Sequence, residues 1–98
     1  MTITKQQNGA NLAIALEGRL DTVTAPELEA ELKTALDAAD TLTLDFSKLD
    51  YISSAGLRVL LAAHKAMSDK GGMKVTHVNE LVAEVFEVTG FSDILTIE

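Results

Sequence analysis

The chain has 98 residues, a formal net charge of −7, no cysteine and 47% hydrophobic residues. That length fits one domain, residues 1–98, and the apolar content excludes a disordered chain. The acidic balance disfavours nucleic acid and bare membrane as partners, and without cysteine there is neither a disulfide framework nor thiolate chemistry. No apolar run reaches the roughly 20 residues that span a bilayer, and we expect a cytoplasmic protein.

The first residues predict a β-hairpin. Two strand-like runs, Thr2–Gln7 and Asn11–Glu17, flank Asn8-Gly9. This pair favours a tight hairpin turn because both residues tolerate positive φ. In the second run every other residue is a large apolar one, which is typical of a strand with one buried face. A connection over residues 18–23 is expected to follow.

Three later segments have helical periodicity and residues that typically start or end a helix. Their predicted bounds are Thr24 to Asp40, Ser54 to Gly71-Gly72, and Asn79 to Gly90. In the first helix Thr24 is expected to cap, Pro26 suits the first turn and Glu27 stands at the capping-box position. Glycine ends the second and third helices, as a C-cap glycine does.

Strand-like runs separate these helices. They are Thr41–Phe46, Met73–Val78 and a short edge strand at Ile94–Ile97. Between the first of them and the second helix, Ser47–Ser53 predicts a polar turn with Leu49, Tyr51 and Ile52 directed inward. The alternation predicts an α/β domain with a mixed sheet of four to five strands, antiparallel at the N-terminal hairpin, and helices packed against it.

The segment from Asp45 to Arg58 is the best candidate for a functional site, because sites in α/β sheets gather where a strand ends and a helix begins. Ser54 opens the helix, small residues follow, and the first turn contains no acid. A phosphate on Ser54 would meet free N–H groups of the helix start, and Arg58 lies one turn on to pair with it. Ala55 and Gly56 would let a partner's backbone approach closely. Serine is also the ordinary helix cap, so a purely structural role stays open.

Other constellations do not assemble into an enzyme, and we predict none, with no cofactor and no metal. His64 and His77 are the only histidines, which disfavours a metal site. Gly71-Gly72 lacks the Lys-Ser/Thr that a phosphate-binding loop requires, and there is no serine nucleophile elbow. Asp45 and Asp50 could form a pair of acids, but aspartate at a strand end or turn is more often structural.

Three stretches together resemble the STAS domain of bacterial anti-sigma factor antagonists. They are Gly18-Arg19-Leu20-Asp21, the run from Asp45 to Leu57 that contains Ser53-Ser54-Ala55-Gly56, and Phe86–Phe91. The resemblance covers nearly the whole chain in order and spacing. Three positions depart from the family pattern: Ser53 stands where an aspartate is usual, Ala55 where a second hydroxyl is frequent, and Arg58 where glycine is frequent.

The resemblance implies a phosphorylation switch. Such antagonists bind an anti-sigma factor serine kinase while unphosphorylated and so free a sigma factor. The kinase then phosphorylates the serine that aligns with Ser54, and a serine phosphatase reverses the change. Ser53 becomes a rival acceptor here. The implied partner-binding residues are Asp21, Ser53, Ser54, Ala55, Gly56 and Arg58.

Two alternatives remain at this point. The chain could be a stand-alone STAS adaptor of a lipid-transport or stress-signalling complex, binding through the same surface without phosphorylation. It could also be a nucleotide-binding STAS domain, although the sequence offers no phosphate cradle.

Overall fold

A computed structural model of the protein describes all 98 residues. Five strands and three α-helices follow one another as β1 (Thr2–Asn8), β2 (Asn11–Leu20), α1 (Ala25–Ala35), β3 (Thr41–Ile52), α2 (Ser54–Ser68), β4 (Met73–Thr76), α3 (Glu80–Thr89) and β5 (Thr96–Ile97). Short 3₁₀ turns follow α1 at Leu36–Ala38 and α3 at Phe91–Asp93. None of the helices combines the length and apolar character that crossing a membrane requires.

The strands form one mixed sheet in the order β1-β2-β3-β4-β5. β1 runs antiparallel to β2, and every other neighbouring pair is parallel. The predicted α/β class, strand number and hairpin are therefore confirmed. Because the parallel strands are laid down side by side in one direction, right-handed crossovers place the connecting helices on one face of the sheet.

That face carries the core. Leu12 pairs with Leu42, and Ile14 pairs with Leu44, which in turn pairs with Val75; all five are buried. Buried side chains of the helices complete a single aliphatic cluster with two aromatic members, Phe46 and Phe86. The opposite sheet face presents small and polar side chains, such as those of Ala13 and Thr43. The alternation seen in the sequence therefore sets which face the helices cover.

The predicted polar turn at Ser47–Ser53 is wrong. β3 continues to Ile52, and β2 continues to Leu20 beside it, so the connection expected from residue 18 begins only at residue 21. Two register shifts each add one residue on β3, which places Leu49 opposite Gly18 and Ile52 opposite Leu20. Bulges of this kind turn the side chain back to the same face after three residues instead of two.

The inward direction expected in this segment is right for two of its three apolar residues. Leu49 and Ile52 are buried, whereas Tyr51 is half-buried and pairs opposite Arg19. The Arg19 guanidinium carbon lies 4.3 Å from the centre of the Tyr51 ring, a cation–π contact. The bulges thus explain a strand that does not show simple alternation.

Several predicted bounds shift by a few residues. α1 ends at Ala35 rather than Asp40, and the residues that follow tighten into a 3₁₀ turn. α2 ends at Ser68, and Gly72 has a φ of +96° in the stop that follows. β4 ends at Thr76 because His77 adopts a φ of +58°, which is incompatible with a strand. β5 is confined to Thr96–Ile97.

The capping predictions divide. Thr24 precedes α1, but its hydroxyl donates to the carbonyl of Arg19 at 2.7 Å and makes no cap hydrogen bond, so the expected capping box does not form. Asn79 caps α3 as predicted, because its Oδ1 accepts a hydrogen bond from the Val82 N–H at 2.8 Å. Gly90 ends α3 with a φ of +83°, the left-handed conformation that favours glycine.

Candidate functional site

The start of α2 lies beside the end of β2. The N–H of Ser53 donates to the carbonyl of Leu20 at 2.9 Å, which ties the junction of β3 and α2 to the last residue of β2. The loop after β2, the start of α1 and the first turns of α2 line one shallow cleft of about 220 Å³. Its lining residues are Thr22, Ala25, Pro26, Glu29, Ala55, Arg58 and Val59. The structure thus brings the region of Asp21 together with that of Ser54.

The two candidate phosphate acceptors differ in accessibility. Ser54 is the first residue of α2 and is exposed. Ser53 has extended backbone, and its Oγ is buried without a hydrogen-bond partner. Ser53 therefore occupies the cap position, but its side chain caps nothing. Of the two hydroxyls, that of Ser53 is closed to an enzyme in this conformation.

The electrostatics around Ser54 favour an anion. The first helical N–H to find a backbone acceptor is that of Leu57, which donates to the carbonyl of Ser53 at 2.9 Å. The preceding N–H groups are the free donors of a helix start, and the first turn contains no acidic residue. Arg58 is exposed, takes part in none of the ion pairs and lies four residues after Ser54, on the same side of the helix.

Gly56 has a role inside the domain. It is buried, and a Cβ placed on it would lie 2.7 Å from Cγ of Leu20 and 2.9 Å from Cγ1 of Ile52. These separations are shorter than side-chain packing allows, so the missing side chain lets α2 rest on the ends of β2 and β3. The side-chain direction of Gly56 therefore faces the core, and the expectation that Gly56 also gives a partner's backbone room stays a prediction.

Asp21 shapes the loop between β2 and α1. Its Oδ1 accepts hydrogen bonds from the N–H groups of Val23 at 3.0 Å and Thr24 at 3.1 Å. The hydrogen bond from the Thr24 backbone is the main cause that lowers the pKa of Asp21, with smaller contributions from Val23 and from the nearby Arg19 guanidinium. An ionised Asp21 therefore fixes the loop at neutral pH.

The residue that this loop displays was missed in the sequence. Val23 is 81% exposed, the most exposed large hydrophobic side chain of the chain. The signal was present as one valine between two threonines in an otherwise polar connection. Ala55 and Arg58 line the cleft, and Val23 and Ser54 adjoin its lining residues in the chain, so we call Val23, Ser54, Ala55 and Arg58 the α2 surface. It combines an apolar projection, a hydroxyl, a small residue and a cation.

Of the other chemistry-bearing residues, Asp45 lies within β3 and His77 directly follows β4. Oδ1 of Asp45 accepts a hydrogen bond from the N–H of Ser47 at 2.9 Å and lies 3.3 Å from Nδ1 of His77. The bond from Ser47 is the main cause that lowers the pKa of Asp45, and His77 adds to it. These contacts give Asp45 a structural role. No group of three or more His, Cys, Asp or Glu residues is placed to hold a metal ion.

Comparison with known families decides the assignment. The family model described as "Mlab, STAS domain" matches residues 3–96, almost the full chain. The chain belongs to the STAS domain family. The Bordetella bronchiseptica protein named "Putative anti-sigma factor antagonist BtrV" is 36% identical over 99 aligned positions, which cover 99% of this STAS domain and 85% of BtrV.

Solved structures agree with this fold. An anti-sigma factor antagonist from Mycobacterium paratuberculosis has a TM-score of 0.88 at 23% identity, covering 98% of this STAS domain and 83% of that chain. The antagonist SpoIIAA in its unphosphorylated form has a TM-score of 0.85 at 20% identity, covering 99% and 88%. Its phosphorylated form, from Bacillus, has a TM-score of 0.77 at 19% identity, covering 99% and 91%. These structures confirm the predicted fold, and the family model and BtrV confirm the predicted family.

Proposed function

We propose that this STAS domain is an anti-sigma factor antagonist that binds an anti-sigma factor serine kinase while unphosphorylated and so releases a sigma factor. The observation that carries the proposal is the exposed Ser54 at a helix start with free N–H groups and no acid, beside Arg58. The name of BtrV, a relative along almost the entire chain, supports the same function.

Binding would use the α2 surface. Val23 offers an apolar side chain that loses contact with water on docking, and this burial is favourable. The side chain of Ala55 is a single methyl group, so a partner can approach the backbone at the start of α2. Asp21 acts beneath this surface by holding the loop that carries Val23. The partner-binding set predicted from sequence therefore gains Val23, while Gly56 supports the surface from inside.

Switching would follow from phosphate on Ser54. The kinase transfers the γ-phosphoryl group of ATP to Oγ of Ser54: the new O–P bond forms, the bond to ADP breaks, and a base of the kinase takes the hydroxyl proton. The product carries about −1.5 to −2 charges near neutral pH. Free N–H groups and Arg58 compensate this charge, so the domain stays folded while the partner is repelled. Hydrolysis by a serine phosphatase restores the hydroxyl.

The burial of the Ser53 hydroxyl supports Ser54 as the acceptor. Phosphorylation of Ser53 would require its Oγ to leave the packed junction between β3 and α2, whereas Ser54 already lies at the surface. The replacement of the family's usual aspartate by Ser53 would then affect how the kinase reads the site and not which residue it modifies.

The proposal predicts a nucleotide-dependent complex. The unphosphorylated domain, mixed with ADP and an anti-sigma factor kinase from the same organism, is expected to co-elute with that protein in size-exclusion chromatography and to displace its sigma factor. With ATP the complex should dissociate as phosphate accumulates. Stable binding that ATP does not reverse would instead indicate an adaptor without phosphorylation, and no binding in ADP would refute antagonism of that kinase.

A further inference from the structure

Helix α3 has two apolar sides. Val82 and Phe86 are buried, and the Phe86 ring centre lies 6.4 Å from that of Phe46 in the core. On another side, Leu81 is 51% exposed and Val88 is 79% exposed, with the half-buried Val85 between them. The spacing of four and then three residues puts these three side chains in one line along the helix. We call Leu81, Val85 and Val88 the α3 stripe.

A row of negative charge borders this stripe. At about 100° per residue, Glu80, Glu84 and Glu87 fall on the side of the stripe away from the core. All three are exposed, and none is in an ion pair. The helix contains no lysine or arginine to offset them. The outer side of α3 is thus an apolar line with an acidic edge.

This arrangement differs from scattered surface hydrophobics. Single exposed apolar residues are common on soluble proteins, whereas a continuous apolar line with a polar edge marks an interaction surface. The line extends over two turns of α3. A second helix could pack its own periodic side chains along such a line, whereas a small ligand would need a pocket. The folded domain leaves Leu81 and Val88 exposed, whereas Val85 is half-buried against the core.

We propose that the α3 stripe docks an amphipathic helix of a partner protein whose apolar side is edged by lysine or arginine. Charge complementarity selects this occupant, because basic side chains would face Glu84 and its neighbours across the contact. A second copy of this chain would set one glutamate row against another, and an anionic lipid surface would meet the same repulsion. The α3 stripe is separate from the α2 surface. α3 packs on β3 and on the 3₁₀ turn at Phe91–Asp93, whereas α2 packs beside α1.

Two synthetic helical peptides provide a test on the full chain. They share one leucine line and differ only in their flanking residues, lysine in one and glutamate in the other. In NMR titrations of the isotope-labelled domain, the lysine peptide is expected to saturate and to shift amide signals of α3. The glutamate peptide should bind at least about tenfold more weakly.

Variants of exposed residues make the test specific. The double substitution Leu81→Ser with Val88→Ser should keep the melting temperature within a few degrees and weaken the lysine peptide at least about tenfold, because two apolar side chains leave the contact. The charge reversal Glu84→Lys with Glu87→Lys should make the glutamate peptide the tighter binder. As a matched control, Glu17→Lys with Asp37→Lys reverses two exposed carboxylates outside α3 and should change neither preference.

Four results would overturn the inference. Shifts spread over the acidic surface rather than on α3 would indicate nonspecific attraction. Equal binding of the two peptides, or unchanged binding by the double serine variant, would remove the role of the charge or of the stripe. Self-association of the unmodified chain that the double serine variant abolishes would make a second copy the occupant. None of these measurements involves the anti-sigma factor, so their failure leaves the proposed function standing.

Discussion

Ser54→Asp is expected to weaken the complex with the anti-sigma factor by on the order of 100-fold while leaving the domain folded. The carboxylate would lie among free N–H groups at the start of α2, where a negative charge is favourable to the helix. The same charge would have to be desolvated under a docked partner, which opposes binding. Calorimetric titration with the anti-sigma factor in ADP measures the loss, and thermal unfolding reports the fold.

Neighbouring substitutions separate charge from shape at this site. Ser54→Ala should keep the affinity, because it removes only the hydroxyl, and should make the complex insensitive to ATP. Ser53→Ala should retain both binding and dissociation by ATP, since the Ser53 hydroxyl makes no hydrogen bond. Full affinity in Ser54→Asp would contradict a docking surface centred on Ser54.

Gly56→Val is expected to lower the free energy of unfolding by about 3 kcal/mol, the upper part of the range for overpacked cores. The first added carbon alone would lie 2.7 Å from Cγ of Leu20 and 2.9 Å from Cγ1 of Ile52. Valine brings two more carbons, so α2 would have to move away from the sheet. Chemical denaturation with urea, followed by circular dichroism, measures the change.

Ala55→Val provides the matched control for this prediction. Ala55 is half-buried and follows Ser54, so the two carbons that valine adds there have solvent on one side, and we expect a change within about 1 kcal/mol. If Gly56→Val were as stable as the unmodified domain and lost only the partner, Gly56 would be an interface residue and its packing role would be refuted.

Much of the fold could be predicted because local signals agree with the final topology. Alternation set the core faces of β2 and the first half of β3, and Asn79 and Gly90 bounded α3 as their capping chemistry requires. The second half of β3 could not be predicted. Its two bulges change the spacing of buried residues from two to three. The polar residues at 47, 48 and 50 then give a pattern that is typical of a turn.

The sequence indicated which residues belong to the candidate site. It did not indicate which of their side chains are accessible to a partner. Ser53 and Ser54 are chemically identical and adjacent, and only the path of the chain buries one hydroxyl and exposes the other residue. Gly56 carried an ambiguous signal, because a small residue at a helix start suits both a partner contact and close packing. Val23 was missed because the exposure of its side chain depends on the loop conformation, which Asp21 holds through backbone N–H groups.

Phosphate mapping tests the central claim most directly. The domain is incubated with the anti-sigma factor kinase and ATP, digested, and sequenced by fragmentation mass spectrometry that distinguishes Ser53 from Ser54. We expect one phosphate, on Ser54, in the unmodified domain and in Ser53→Ala, and none in Ser54→Ala. Phosphate on Ser53, or none on either serine under conditions in which the complex dissociates, would contradict the switch proposed for this STAS domain.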